Sequence, residues 1–150
     1  MTQTVTVTRI IRCPVDEATD FVTDPHELIP QVSAFSRCKF VESCDDGEMW
    51  DVFLNSGTIY LGGRVLIPPP QHGRLTWHSV RGTRHSFEAR VEPHRSGTRL
   101  TLTLQYRLAG YVIAQISELI GRGLASRNLE AAAEEIRHHL EFETDRPKRR

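Results

Sequence analysis

The side chains able to do chemistry are scattered along this chain rather than clustered. Seven histidines occur, His26, His72, His78, His85, His94, His138 and His139, and none falls in an HExxH or comparable ligand spacing. His138 and His139 are neighbours, so on a helix they point about 100° apart and share an ion poorly. Such histidines are ordinarily surface groups or satisfied core groups, and no metal centre is expected. The cysteines, Cys13, Cys38 and Cys44, are odd in number and lack a CxxC pair. That argues against both a disulfide framework and a zinc site, and each reads as a small hydrophobe rather than a nucleophile. GxSxG, P-loop and GxGxxG patterns are absent, so hydrolase and nucleotide readings lack support and no cofactor is expected. Gly62-Gly63 lies inside a strand pattern and reads as a bulge or sharp bend, not a phosphate cradle.

The elements that position these residues are easier to read. Thr4 to Arg12 alternates threonine with valine and predicts a strand, stopped by Pro14. Val15, Ala18, Phe21 and Val22 keep helical spacing behind the acidic Asp16 and Glu17, and Asp24-Pro25 ends that short helix. A second, irregular helical piece from His26 to about Val32 contains Pro30. Strand patterns then follow at Arg37–Ser43, Glu48–Leu54, Thr58–Ile67, Arg74–Arg81, His85–Pro93 and Arg99–Leu108, divided by turn signals such as Asp46-Gly47 and Ser96-Gly97. Links this short favour an antiparallel meander. Pro68-Pro69-Pro70 ends its strand and predicts a sheet edge. The last strand puts Leu100, Leu102, Leu104, Tyr106 and Leu108 on one face, and the one before it puts Phe87, Ala89 and Val91 together.

Tyr111 to Glu143 reads as a long helix with two apolar stripes. Val112, Ile113, Ile116, Leu119, Ile120 and Leu124 form the first; Leu129, Ala133, Ile136 and Leu140 form the second. The offset between them predicts a kink or two abutting helices near Gly121 and Gly123, a natural hinge for ligand entry.

Bulk composition fits one globular domain. Of 150 residues, 39% are hydrophobic and 25% charged, and Lys plus Arg balance Asp plus Glu at 19 each. Without a net basic field, nucleic acid is not an expected partner. No apolar run reaches the ~18 residues of a membrane span, and the N-terminus lacks a signal-peptide pattern, so no integral membrane segment and a cytoplasmic location are expected. Residues 1–143 form the predicted domain, and 144–150 a basic, disordered tail.

A strongly twisted sheet of seven strands curls, and one helix laid into its hollow leaves an apolar cavity. Ile11-Arg12-Cys13-Pro14-Val15-Asp16-Glu17, the Phe21–Pro25 turn with Pro30 after it, Gly97–Leu102 and the helix closing on Leu140-Glu141 occur in an order that resembles the START-like superfamily of the birch-pollen allergens. Within it, the chain is similar to the bacterial polyketide cyclase/dehydrase branch. The resemblance implies an α+β helix-grip fold: a seven-stranded curved antiparallel sheet around a long C-terminal helix, with two short helices after the first strand. It further implies binding, and possible transport, of a hydrophobic molecule such as a lipid or polyketide, with cyclase, aromatase or dehydratase chemistry as the alternative and a protein-partner or regulatory module as a third reading. Where aromatase/cyclases place a tyrosine beyond the proline of the second helix, this chain has Phe35, which has no hydroxyl to offer.

The resemblance places Arg64 as an arginine facing the cavity, where a guanidinium would hold a carbonyl or enolate oxygen. Simple alternation puts it, with Tyr60, opposite the apolar face of Ile59, Leu61, Val65 and Ile67, unless a bulge at Gly62-Gly63 reverses the register. The expected ligand-lining set is Phe35, Tyr60, Arg64, Trp77 and Phe87, continuing through Val91, Leu102, Leu104 and Tyr106 to Ile116 and Ile120 of the helix. Arg64 is the one catalytic candidate. The expected partner is a hydrophobic small molecule, with a homodimer as the alternative to a monomer.

Overall fold

Alternation along β1 (Thr2–Ile11) buries Val7 and Ile11 and leaves the threonines in water, which makes this a one-sided strand. The computed structural model describes residues 2–56, 59–107 and 118–143. After β1 come α1 (Val15–Val22) and α2 (Pro25–Gln31), then β2 (Phe35–Cys44), β3 (Gly47–Ser56), β4 (Ile59–Ile67), β5 (Arg74–Gly82), β6 (Arg84–His94) and β7 (Gly97–Arg107). The helix α3 (Glu118–His138) closes the described chain, and its last turn widens to π geometry over His139–Glu143. All pairings are antiparallel, in one sheet of order β1-β7-β6-β5-β4-β3-β2. This is the expected helix-grip arrangement, an α+β fold with the long helix on one face of a meander.

Local chemistry explains the element ends. The Asp24 carboxylate caps α2 by accepting the His26 N–H at 2.9 Å, and Pro25 occupies a position where no helical donor is needed. Pro30 lies in the final turn of α2, and the chain leaves the helix two residues later. The three prolines follow β4 as predicted, but β4 is not an edge: it is flanked by β3 and β5, and the prolines simply lie beyond its ladder. The true edge β2 is blunted by two register shifts and by Arg37 at φ 53°.

Helix α3 buries Ala125, Leu129, Ala132, Ala133 and Ile136, and Leu140 is buried in the turn that follows; this is the second of the two predicted stripes. The helix runs along β1, and two adjacent carboxylates fix its rotation. Glu134 takes Arg9 at 2.8 Å, and the Arg9 bond, followed by that from Arg137, holds its carboxyl below the usual range. Glu135 faces the other way and accepts both the backbone N–H and the hydroxyl of Ser33 in the loop after α2. The helix is continuous through Gly121 and Gly123, so the predicted division into two helices does not occur there; the irregular turn is at His139, whose ring stacks on Phe21 at 4.2 Å. Of the first stripe, Val112, Ile113 and Ile116 fall outside the described residues, as do the predicted tail and the side chains of Leu119, Ile120 and Leu124.

Candidate functional site

Three ring contacts show how far the sheet curls. β2 and β5 are separated by β3 and β4, which on a flat sheet puts them about 14 Å apart. Yet Phe35 of β2 meets Trp77 of β5 at 5.3 Å and Phe87 of β6 at 5.6 Å, both edge-on, while Trp77 and Phe87 stack at 4.3 Å. The sheet is therefore curved, with these aromatic rings meeting across its inner face. Along β6 and β7 the same face continues through Val91, Leu102 and Leu104, all buried. The structure brings these residues together on one face. Their rings also pack on one another, so each serves the core as well as any site.

One end of this face is polar. His85 precedes Phe87 on the inner side of β6, is buried, and stands opposite the buried Tyr106 in the β6–β7 register. Its ring is fixed at both nitrogens. The Trp77 indole N–H can only donate, so His85 Nε2, 3.2 Å away, must accept; Nδ1, 2.9 Å from the Thr83 carbonyl, must then carry the proton. Burial pushes the His85 pKa down, against the weaker effect of the Thr83 bond. The imidazole is thus a neutral group of defined tautomer that locks the Trp77 ring. Its own backbone N–H donates to the Ser79 hydroxyl at 3.1 Å. His85 was not among the expected site residues, although the alternation of His85 with Phe87, Ala89 and Val91 contains the signal.

Arg64 lies elsewhere. β3 and β4 pair without interruption from Glu48↔Ile67 to Ser56↔Ile59, so no bulge occurs at Gly62-Gly63 in that ladder. The irregularity is on β5, where Arg64 and Val65 face Arg81 and Ser79 and Val80 is the extra residue. Val65 and Ile67 are buried, and Arg64 turns to the outer face, where its Nε donates to Asp51 at 3.1 Å. The cavity role implied by the resemblance is corrected accordingly: in this register the guanidinium neutralises a surface carboxylate. The side chains of Tyr60 and Ile120 fall outside the described residues.

Other reactive groups are occupied in the core or isolated. Burial pushes the Cys38 thiol up to about 11, against the weaker effect of a backbone hydrogen bond at Phe53, so it stays protonated. Cys13 sits 3.9 Å from the Thr98 hydroxyl. His26, its ring 4.9 Å from that of Trp50, reaches Glu48 at 3.1 Å, and Glu48 also accepts the Trp50 indole N–H at 2.9 Å, which ties α2 to β3. Among the described residues no cluster of three His, Cys, Asp or Glu side chains could hold a metal ion. None of their helices is long and apolar enough to cross a membrane.

Solved structures share this architecture at low identity. A protein of Thermus thermophilus superposes with a TM-score of 0.79 at 17% identity, over 92% of this chain and 97% of that one. The Zhui aromatase/cyclase of a Streptomyces species gives 0.72 at 14%, over 95% and 98%. A START superfamily protein of Mycobacterium smegmatis gives 0.67 at 14%, over 93% and 96%. No family model and no curated protein matches the chain. The likeness is one of fold, and the helix-grip architecture expected from the sequence is the one observed.

Proposed function

We propose that residues 1–143 form one domain that binds a hydrophobic small molecule, of lipid or polyketide type, between the inner face of the sheet and the C-terminal helix. The carrying observation is the inner face itself. A concave apolar surface of Trp77, Phe87, Leu102 and Leu104 ends in one neutral polar pair, His85 and Tyr106. That distribution suits a ligand with a long apolar body and a single hydroxyl, carbonyl or carboxyl end. The protein acts in this reading in the cytoplasm, where Cys13, Cys38 and Cys44 remain reduced as they are here.

Native mass spectrometry of freshly purified protein, followed by displacement of a bound fluorescent naphthalene dye with fatty acids and quinones, tests the reading. A ligand retained in the gas phase, or displacement at roughly micromolar concentration, supports it. An empty protein that binds neither class removes it. Arg64→Ala should leave affinity within about twofold, because the guanidinium lies on the opposite face from the ligand and its pair with Asp51 is a surface one. Tyr106→Phe should weaken ligands with a polar end by roughly 5- to 30-fold, the equivalent of one or two hydrogen bonds, and leave an alkyl ligand unchanged.

A second reading, cyclase or aromatase chemistry on a ligand in the same place, is favoured by the defined tautomer of His85 beside Tyr106. It differs from the arginine-centred expectation in its outcome. Turnover of a polyketide precursor should survive Arg64→Ala and be lost in His85→Phe.

A further inference from the structure

The outer face of the sheet carries a charge imbalance that the inner-face chemistry does not use. Arg84 stands directly opposite Arg107 in the β6–β7 ladder, and Arg64 opposite Arg81 in the β4–β5 ladder. Opposed residues share a face. Arg84 alternates with buried His85 and Arg107 follows buried Tyr106, so both are outer, like Arg64. Four arginines therefore sit on four consecutive strands at one end of the sheet, in a band about 14 Å wide at the usual strand spacing. Arg64 has Asp51; among the described residues no ion pair reaches Arg81, Arg84 or Arg107, and all three are exposed. The segment 108–117 that follows β7 contains no Asp or Glu.

Like charges directly opposite each other on neighbouring strands weaken a ladder. The other end of the same face shows the ordinary remedy. There Arg74 stands opposite Arg90, and Glu88 lies between them, 3.9 Å from one and 3.1 Å from the other. A repulsion corrected at one end and, among the described residues, left standing at the other suits an anionic group from outside the chain. Beside the uncorrected pair lies a groove of about 350 Å³, lined on its outer side by Thr76, His78, Ser86, Glu88, Thr103 and Gln105. Ser86 and Gln105 oppose each other one outer position along from Arg84 and Arg107, so hydroxyl and amide groups continue the band.

We propose that this arginine band docks a carboxylate-rich segment of another protein. Arg84 and Arg107 receive carboxylates in fork geometry, and the groove takes the polar groups beside them. Charge complementarity selects this occupant. The chain as a whole is neutral, with a pI near 7.1, unlike a nucleic-acid-binding domain. The positive patch is short, because Asp51, Glu88 and Glu92 lie on the same face, so it fits a few carboxylates placed at Arg84 and Arg107 rather than an extended anionic surface.

Fluorescence anisotropy of the full chain with a labelled helical Glu-rich peptide, its Gln counterpart, phosphatidylserine vesicles and a single-stranded oligonucleotide tests the proposal. The Glu peptide should bind at least about tenfold more tightly than the Gln peptide at low salt and weaken as salt rises. The double change Arg84→Glu/Arg107→Glu should abolish binding, while Arg74→Ala/Arg90→Ala keeps it within about twofold. The single change Arg84→Glu converts a repulsive cross-strand pair into an attractive one and should raise Tm by about 1–3 °C, which separates lost binding from lost folding. Undiminished binding by the double variant overturns the proposal, as does vesicle or oligonucleotide binding as tight as that of the Glu peptide.

Discussion

Gly62→Ala and Gly63→Ala should each lower stability by about 3 kcal/mol, a fall in Tm of roughly 10 °C, with the double variant failing to fold. Both glycines lie in the centre of β4, not in a turn, at φ of 148° and 150°. A methyl group on Gly62 would come 2.1 Å from the Val52 carbonyl oxygen, and one on Gly63 2.2 Å from that of Arg81. Those atoms are strand backbone on either side, so relief requires moving a neighbouring strand. Gly82, directly opposite Gly63, meets the Gly62 carbonyl in the same way at 2.3 Å. Three glycines thus remove Cβ atoms where β3, β4 and β5 crowd together, and the sheet between β2 and β5 can curl enough to bring Phe35 onto Trp77. Gly123→Ala provides the contrast. Its added methyl finds nothing nearer than an Arg127 guanidinium nitrogen at 3.9 Å, and it sits in helix, so it should stabilise by about 0.5–1 kcal/mol. Thermal unfolding of the three single variants checks the set; an unchanged Tm in Gly62→Ala would show that the crowding relaxes freely.

Period-two alternation made the strands legible, because one face of each packs and the other is wet. It found β6 and β7 to within a few residues and assigned Leu100, Leu102, Leu104 and Tyr106 to one side correctly. It also had Arg64 right. The strand pattern placed that residue outward, and it was the resemblance, with an assumed bulge at the glycines, that turned it toward the cavity. A glycine pair in a strand has two physical explanations, an extra residue or a close approach of backbones, and composition does not distinguish them. Here the extra residue is Val80 on the neighbouring strand, which has no glycine signal of its own beyond Gly82. The curl itself was expected from the strand count and twist, but the contact it produces was not legible: Phe35 and Trp77 lie on strands that are not sequence neighbours, and no local pattern encodes their meeting. The helix end followed the same logic. The stripe of Leu129, Ala133, Ile136 and Leu140 was readable from its spacing, whereas the π turn begins at His139, whose ring stacks on Phe21 of α1, a contact between distant elements that no local spacing encodes.

His85 was passed over for a different reason, since a histidine taken by residue type is a surface group more often than not, while this one shares a face with Phe87 and Ala89. Its burial carries the second large expectation, an acid sensitivity of the fold. The ordinary pKa is 6.5, and burial lowers it in the folded protein. As pH falls below about 6.5 the unfolded chain gains a proton at this position while the folded chain does not, so the unfolded state binds more protons and stability declines as pH falls. The decline reaches about 1.4 kcal/mol per pH unit until the lowered folded pKa is met, and above 6.5 it is absent. Among the described residues the groups bonded to the ring are the Trp77 indole and the Thr83 carbonyl, and neither offers the imidazolium a counter-charge. Protonation also places an N–H on Nε2 against the indole N–H, which releases Trp77 from the aromatic group. His85→Gln retains an acceptor for the indole and a donor for Thr83 without titrating. Urea unfolding from pH 5 to 8 should therefore show the wild-type protein losing stability relative to His85→Gln below 6.5, and ligand held against Trp77 should be released over the same interval in the wild type alone. Parallel stability curves for the two proteins would mean that the folded protein accommodates the charged imidazole, and the acid sensitivity assigned to this ring would have to be abandoned.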